Sequence, residues 1–226
     1  LAAMRVLWMI VIDEAHVIWE WRDFRRGVRN IADLVRSRAV TVPIVGLTAT
    51  ASPATVRRLQ ETVCTWDVEV RASTVRISTS YRVQWTGSEA EAVAMTVRLA
   101  RSASECKRAI IFCMTIGDCE FIARSLLAAK LRCMKYHGRL TAVEKEAADT
   151  AFRGTDKDAE NRAVIGVCTA GYGLGLDISE VKSTIHFGGA RSVSEFMQES
   201  GRAGRSGAPC SSGATCTVVV CEDVMN

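Results

Sequence analysis

The sequence predicts an α/β protein whose mostly parallel sheets are covered by helices. Three observations carry that expectation. Short apolar runs alternate along the 226 residues with longer segments of helical period. Helix-start signals follow several of those runs closely. Paired carboxylates and clustered hydroxyls sit just past the ends of two runs, where open α/β sheets bind ligands.

The first run, 6–12, is Val-Leu-Trp-Met-Ile-Val-Ile, apolar throughout as a strand buried on both faces requires. The second covers 43–47. Ser52, followed by Pro53 at a first-turn position, then starts a helix that runs to about residue 63. Between 69 and 107 the rhythm weakens, and Thr86-Gly87-Ser88 supplies a turn before a helical stretch from 89 to about 102. Further strands are expected at 108–113, 133–136, 163–168, 182–187 and 215–221. Thr141 with Glu144 three residues on makes a capping box, and Ser192 with Glu195 repeats the signal. A boundary near Ser73 divides the chain into 1–73 and 74–226.

Composition fits this picture and excludes others. Hydrophobic residues make up 48% and charged residues 24%, with three prolines, which rules out disordered, collagenous and small disulfide-framework chains. The apolar runs fall well short of the ~18 residues that would span a bilayer. Nine cysteines stand singly, with no Cys-x-x-Cys pair, so small buried thiols in a reduced interior are expected and zinc is not. The chain opens at Leu1 straight into a strand-like run without a signal-peptide pattern, the expectation for part of an intracellular protein. The net charge is +4, and no lysine precedes Lys107, whereas Arg22, Arg25, Arg26, Arg29, Arg36 and Arg38 crowd one segment. Such a guanidinium-rich face suits phosphate contact or a solvated helix surface.

Three constellations carry chemistry. Asp13-Glu14-Ala15-His16 ends the first run. One carboxylate there can hold Mg²⁺ while its neighbour polarises an attacking water, the division of labour that phosphoanhydride hydrolysis needs. Gly46-Leu47-Thr48-Ala49-Thr50-Ala51 follows the second run, and its hydroxyls either relay hydrogen bonds from the carboxylates or are ordinary turn material. Gln198-Glu199-Ser200-Gly201-Arg202-Ala203-Gly204-Arg205 places two arginines three residues apart at a helix end, among small residues that let a partner approach.

In this order and spacing the three elements resemble the superfamily 2 helicases, and the details narrow the resemblance to the RecQ family. It covers nearly the whole chain. Asp13 to His16 look like the DEAH box, and Thr48 to Ala51 like the element that couples hydrolysis to unwinding. The segment Val17-Ile18-Trp19-Glu20-Trp21-Arg22-Asp23-Phe24-Arg25 resembles the family's aromatic-rich loop beside the ATP site. Ala109 to Cys113, Tyr136-His137-Gly138, and Cys168-Thr169-Ala170-Gly171-Tyr172-Gly173-Leu174-Gly175-Leu176-Asp177 match elements of the second lobe. The resemblance implies two RecA-like lobes of the phosphate-loop NTPase class, the first truncated here, and an ATP- and Mg²⁺-dependent 3′-to-5′ DNA helicase acting in repair and recombination in the nucleus. By the same resemblance Asp13 holds Mg²⁺, Glu14 is the base, His16 completes the box, and Arg202 and Arg205 reach the γ-phosphate. Thr48, Gly175, Asp177 and Gln198 line the nucleotide. Trp21, Phe24, Arg25, His137 and Thr169 contact single-stranded or forked DNA. Base stacking on an aromatic is worth about 1–3 kcal/mol; Trp19 suits a core plug better than Trp21 does, and His186, ending an apolar strand, suits a structural role.

There are departures too. The phosphate loop of Gly-x-Gly-Lys-Ser type is missing, since no Gly-Lys dipeptide occurs, so these residues alone are expected not to hydrolyse ATP. The aromatic loop is one residue short, Glu20 stands where Gln is common, Ile77-Ser78 replaces Pro-Asn, and Ser206 replaces Asp. Cys210, Cys216 and Cys221 do not recreate the zinc module that follows the second lobe in many members. Two other readings remain open at this point: a non-catalytic DNA-binding remnant, and another superfamily 2 translocase.

Overall fold

The computed structural model describes residues 7–20, 26–36, 42–63, 65–73, 76–106, 108–154, 165–169, 181–204 and 213–222. Backbone contacts divide the chain into two compact units, Leu1–Val75 and Arg76–Asn226.

The second unit is a six-stranded, wholly parallel sheet. Its strands are β3 (Thr79–Thr86), β4 (Arg108–Cys113), β5 (Cys133–Tyr136), β6 (Ile165–Thr169), β7 (Val181–Phe187) and β8 (Ala214–Cys221), in the order β3-β8-β7-β4-β6-β5. Between them run α4 (Glu89–Cys106), α5 (Ile116–Ala128), α6 (Ala142–Arg153) and α7 (Val193–Ser200). The central strand β4 is buried at every position, and its side chains alternate between two cores. Ile111 and Cys113 join Ile122, Leu126, Val167 and Ile185 on one face. Ile110 and Phe112 join Met134, Phe152 and Ala203 on the other. A strand covered on both faces has no polar positions to spare, which is why 108–113 reads as an unbroken apolar run after Arg108.

Helix ends follow the sequence signals. Ser52 Oγ accepts from Thr55 N, with Pro53 opening α3 (Pro53–Thr62). Thr141 and Glu144 form the reciprocal capping box of α6, which stops at Gly154 in the left-handed region. Thr115 and Asp118 form a second box on α5 that the sequence reading passed over. At α7, Ser192 caps Glu195 N, but the Glu195 carboxylate reaches one residue further back, to Arg191 N. Phe152 of α6 is fully buried and lies over β6 where Gly166 leaves room; a Cβ there would come within 2.9 Å of Met134 Cε. Phe152→Ala should destabilise the unit by about 3–5 kcal/mol. A urea titration followed by far-ultraviolet circular dichroism measures it.

In the first unit β1 (Ile10–Ile12) pairs in parallel with β2 (Ile44–Gly46). Around them lie α1 (His16–Glu20), α2 (Arg26–Arg36) and α3, which share a core of Ile18, Val35, Leu59 and Val63. Trp19 packs, partly buried, against that core with the Arg58 guanidinium 4.9 Å from its ring centroid; Trp21 lies outside the described residues.

Two expectations need correcting. The first strand is shorter than 6–12, because residues 7–9 carry no ladder bonds. The weak region of 69–107 contains a full strand, β3. Among the described strands it pairs only with β8, and it turns Tyr81, Val83 and Trp85 to solvent, so its apolar alternation points away from the core. No described helix is long and apolar enough to cross a membrane.

Candidate functional site

In the first unit the carboxylates sit where the sheet ends. Leu47 N bonds Ile12 O at 2.8 Å and Ala15 N bonds Leu47 O at 2.8 Å, extending the β1–β2 pairing into the Asp13-Glu14 turn. Glu14 takes a positive φ of 48°, and its N–H donates to Asp13 Oδ1 at 2.9 Å. Asp13 is exposed. His16 is 1% exposed, and its Nδ1 lies 2.8 Å from Thr48 Oγ1 and 3.3 Å from Glu14 Oε2. Thr48 Oγ1 also accepts from Thr50 N at 3.2 Å. A contiguous path of polar atoms therefore runs from Glu14 through His16 to the Thr48–Thr50 turn. Gly46 is where that turn comes close to the rest of the unit: a Cβ there would lie 3.1 Å from the Trp66 ring and 3.4 Å from Ala15 Cβ.

In the second unit all strand carboxyl ends point the same way. Cys113 is in register with Thr169 on one side and Phe187 on the other. From β4 the chain crosses by α5 to β5, beyond β6; from β7 it crosses by α7 to β8, on the opposite side. The winding thus reverses between β4 and β7, the kind of switch point at which open α/β sheets bind ligands. A small hollow opens there, lined by Cys113, Met114, Gly189, Arg191, Glu195 and Glu199. Arg191 closes one side, its Nη2 donating to Met114 O at 2.6 Å.

Behind the hollow is a buried pair that the sequence reading missed. His186 is fully buried, with Nε2 3.1 Å from Glu199 Oε2 at ion-pair distance. Phe112 stacks on its ring, with centroids 5.3 Å apart, and Phe196 of α7 tilts against it. Burial pushes the Glu199 carboxyl up, against the opposing pull of His186. His186 is structural, as its place on the strand indicated, and it ties α7 to the sheet. The only advance signal was a histidine within an apolar run and a glutamate inside the arginine motif.

Other expected site residues fall as follows. Thr169 is half-buried at the carboxyl end of β6, and Gln198 is half-buried on α7. Arg202 lies half-buried in the turn after α7. His137 is only 4% exposed, and its Nε2 bonds Glu120 Oε1 at 2.8 Å, so Gly138 and Arg139 are what this strand end shows to solvent. Trp21, Phe24, Arg25, Gly175, Asp177 and Arg205 lie outside the described residues.

Glu120 also takes both oxygens to Lys135 Nζ at 2.8 Å. Lys135 first, then His137, hold its carboxyl below the ordinary value of 4.5. The unfolded chain then binds more protons than the folded one in acid. This contribution is present above about pH 4.5 and is lost as the pH falls through the folded value. Glu120→Gln should flatten the acid side of a plot of unfolding midpoint against pH, by lowering the midpoint at neutral pH while leaving it nearly unchanged in strong acid. Burial pushes the Cys113 and Cys168 thiols up, and those of Cys119 and Cys133 to about 11, which keeps them protonated and inert at neutral pH.

The helicase conserved C-terminal domain model matches residues 91–207. A Caenorhabditis briggsae protein named putative ATP-dependent DNA helicase Q1 is 33% identical over 211 residues, 92% of this chain and 32% of its own length. ATP-dependent DNA helicase Q1 of Rattus norvegicus is 28% identical over 87% of this chain and 31% of its own. The chain thus spans about a third of the length of these relatives. Among solved structures, S. cerevisiae Dbp5 bound to RNA and ADP BeF3 superposes with a TM-score of 0.71 over 96% of this chain and 54% of that one. At 18% identity that likeness is one of fold. A parallel sheet with a switch-point hollow, an arginine turn at its edge, and a family match across both place the chain in the helicase conserved C-terminal domain family, with RecQ-type DNA helicases as its relatives.

Proposed function

We propose that this chain is part of a RecQ-like, ATP-dependent 3′-to-5′ DNA helicase, comprising the later part of a first lobe and a second lobe. The observation that carries the reading is the Asp13-Glu14 turn at the end of β1, linked through His16 to Thr48, in a chain whose other unit carries the helicase match. Trp8, Val11 and Leu47 expose apolar surface around the two short strands, the kind of face a fuller parallel sheet covers.

The donor set fits a nucleotide-bound Mg²⁺. Asp13 is an exposed, hard carboxylate, and Mg²⁺ in such sites takes one or two carboxylates plus phosphates and water. With ATP, Mg²⁺ neutralises charge on the transferring phosphoryl group. Glu14 takes the proton of the attacking water. Its Oε2 is buried 3.3 Å from His16 Nδ1 while the side chain as a whole is 44% exposed, so the carboxylate lies between the buried histidine and solvent. His16 and Thr48 hold Glu14 and answer a change in its charge. Arg202 and Arg205 stabilise the γ-phosphoryl charge, with Thr48, Gly175, Asp177 and Gln198 lining the nucleotide. Thr169 and the aromatic loop of Trp21, Phe24 and Arg25 track single-stranded or forked DNA, in a nuclear repair or recombination setting, with the buried His137 holding the strand end that presents Gly138 and Arg139.

A protein carrying this chain behind a phosphate loop should hydrolyse ATP in response to single-stranded DNA and unwind a 3′-tailed duplex. Stimulation by RNA alone would favour another superfamily 2 translocase. DNA binding without hydrolysis would favour the non-catalytic remnant. Thr48→Ala should lower unwinding more than hydrolysis, by about tenfold, because it breaks the path from the carboxylate site without removing the base. Parallel ATPase and strand-separation assays read the difference.

A further inference from the structure

Arg76 opens the second unit, immediately before the Ile77-Ser78 that stands where the resemblance expects Pro-Asn after an arginine. Its Nη1 donates to Gly201 O at 3.0 Å and to Ala203 O at 3.3 Å. These carbonyls lie just past the last residue of α7, where C=O groups lack intrahelical donors and the helix dipole favours a cation. Arg202 stands between them.

The rest of the turn is equally constrained. Arg202 N bonds Glu199 O at 3.0 Å, Ala203 N bonds Ser200 O at 3.2 Å, and Gly204 N bonds Val181 O at 2.9 Å. Gly201 admits no side chain, since a Cβ would come within 2.8 Å of Met197 O and 3.4 Å of Arg76 Nη2; Gly204 sits at φ +71°. Ser200 and Ala203 are fully buried. The segment is pinned on the sheet side by Gly204 and by Glu199 at His186, and the Arg76 guanidinium joins the carbonyls of the residues before and after Arg202.

We propose that Arg76 is a positioning residue for Arg202. Its paired hydrogen bonds fix the backbone on both sides of Arg202 and so set where that guanidinium is presented. This rests on the reading above, in which Arg202 acts on the γ-phosphoryl group.

The test compares R76A, R76K, R202A and the double variant R76A/R202A in DNA-stimulated ATP hydrolysis, in the protein carrying this chain behind a phosphate loop. R76A should lower kcat about 10- to 100-fold, as a misplacement of about 1 Å can, with KM for ATP within about twofold. R76K should recover part of the loss, since an ammonium keeps the charge but not the fork. The double variant should be no worse than R202A. Normal turnover in R76A beside an inactive R202A overturns this inference alone; normal turnover in R202A overturns the functional reading beneath it. Hydrogen exchange on the 226-residue chain gives a readout free of catalysis. In R76A the amides of 202–204 should exchange faster while β4 and β7 stay protected. Unchanged exchange in the turn, or loss of protection throughout the sheet, overturns the positioning role.

Discussion

Glu14→Gln, in a protein that carries this chain behind a phosphate loop, is expected to lower DNA-stimulated ATP turnover by about 10²–10⁴-fold, the usual contribution of a positioned general base. ATP binding should persist. The substitution keeps the shape of the side chain and its place beside His16, 3.3 Å away, but removes the group that accepts the proton of water. Asp13 is left in position, with its Oδ1 still accepting from the residue-14 amide. Loss of turnover together with loss of nucleotide affinity would instead place Glu14 among the binding groups. Stopped-flow measurement with a fluorescent ATP analogue, beside steady-state hydrolysis, separates the two.

Arg202→Ala should be at least as severe, about 10³–10⁵-fold in turnover, because an arginine that meets a transferring phosphoryl group acts on charge present in the transition state. The effect should fall on kcat rather than on KM. Arg202→Lys should remain poor, since a point charge cannot reproduce a planar fork on phosphate oxygens. The fold should survive both changes: Arg202 is half-buried in a turn whose backbone is held by Gly204 N on Val181 O and by Arg76 on Gly201 O and Ala203 O. Thermal unfolding within a few degrees of the parent verifies that the lost turnover is local.

Strands buried on both faces were the most legible part of the sequence. β4 and β7 differ from the expected ranges by at most one residue, although only β4 is an unbroken apolar run after its first residue and β7 also carries Lys182, Ser183, Thr184 and His186. β3 escaped notice for the opposite reason. Its Tyr81, Val83 and Trp85 alternate as a strand should, but they face solvent at the sheet edge among Arg82 and Gln84, and an apolar run is what the eye follows. Caps were legible wherever the signal is local, as at Ser52 and Thr141, since two or three adjacent residues determine them.

The site was legible in part. The Asp-Glu-Ala-His box and the arginine turn carry their chemistry in adjacent letters. His186, Glu199 and Arg76 do not, since each acts through a partner 13 or 125 residues away in the chain, as in His186 with Glu199 and Arg76 with Gly201. Such pairings depend on sheet order, in particular on β7 lying beside β4 and carrying α7 back across the carboxyl edge. Nothing short of the fold discloses that order.

The central claim is that this chain supplies the carboxylate and arginine sides of an ATP site coupled to DNA. The most direct measurement is DNA-stimulated ATP hydrolysis by the 226-residue chain, beside the same chain preceded by a phosphate-loop segment. Hydrolysis that appears only in the extended form, rises with single-stranded DNA, and is abolished by Glu14→Gln is the predicted result. An extended form that binds single-stranded DNA but never turns over ATP would contradict the claim and leave a DNA-binding remnant in its place.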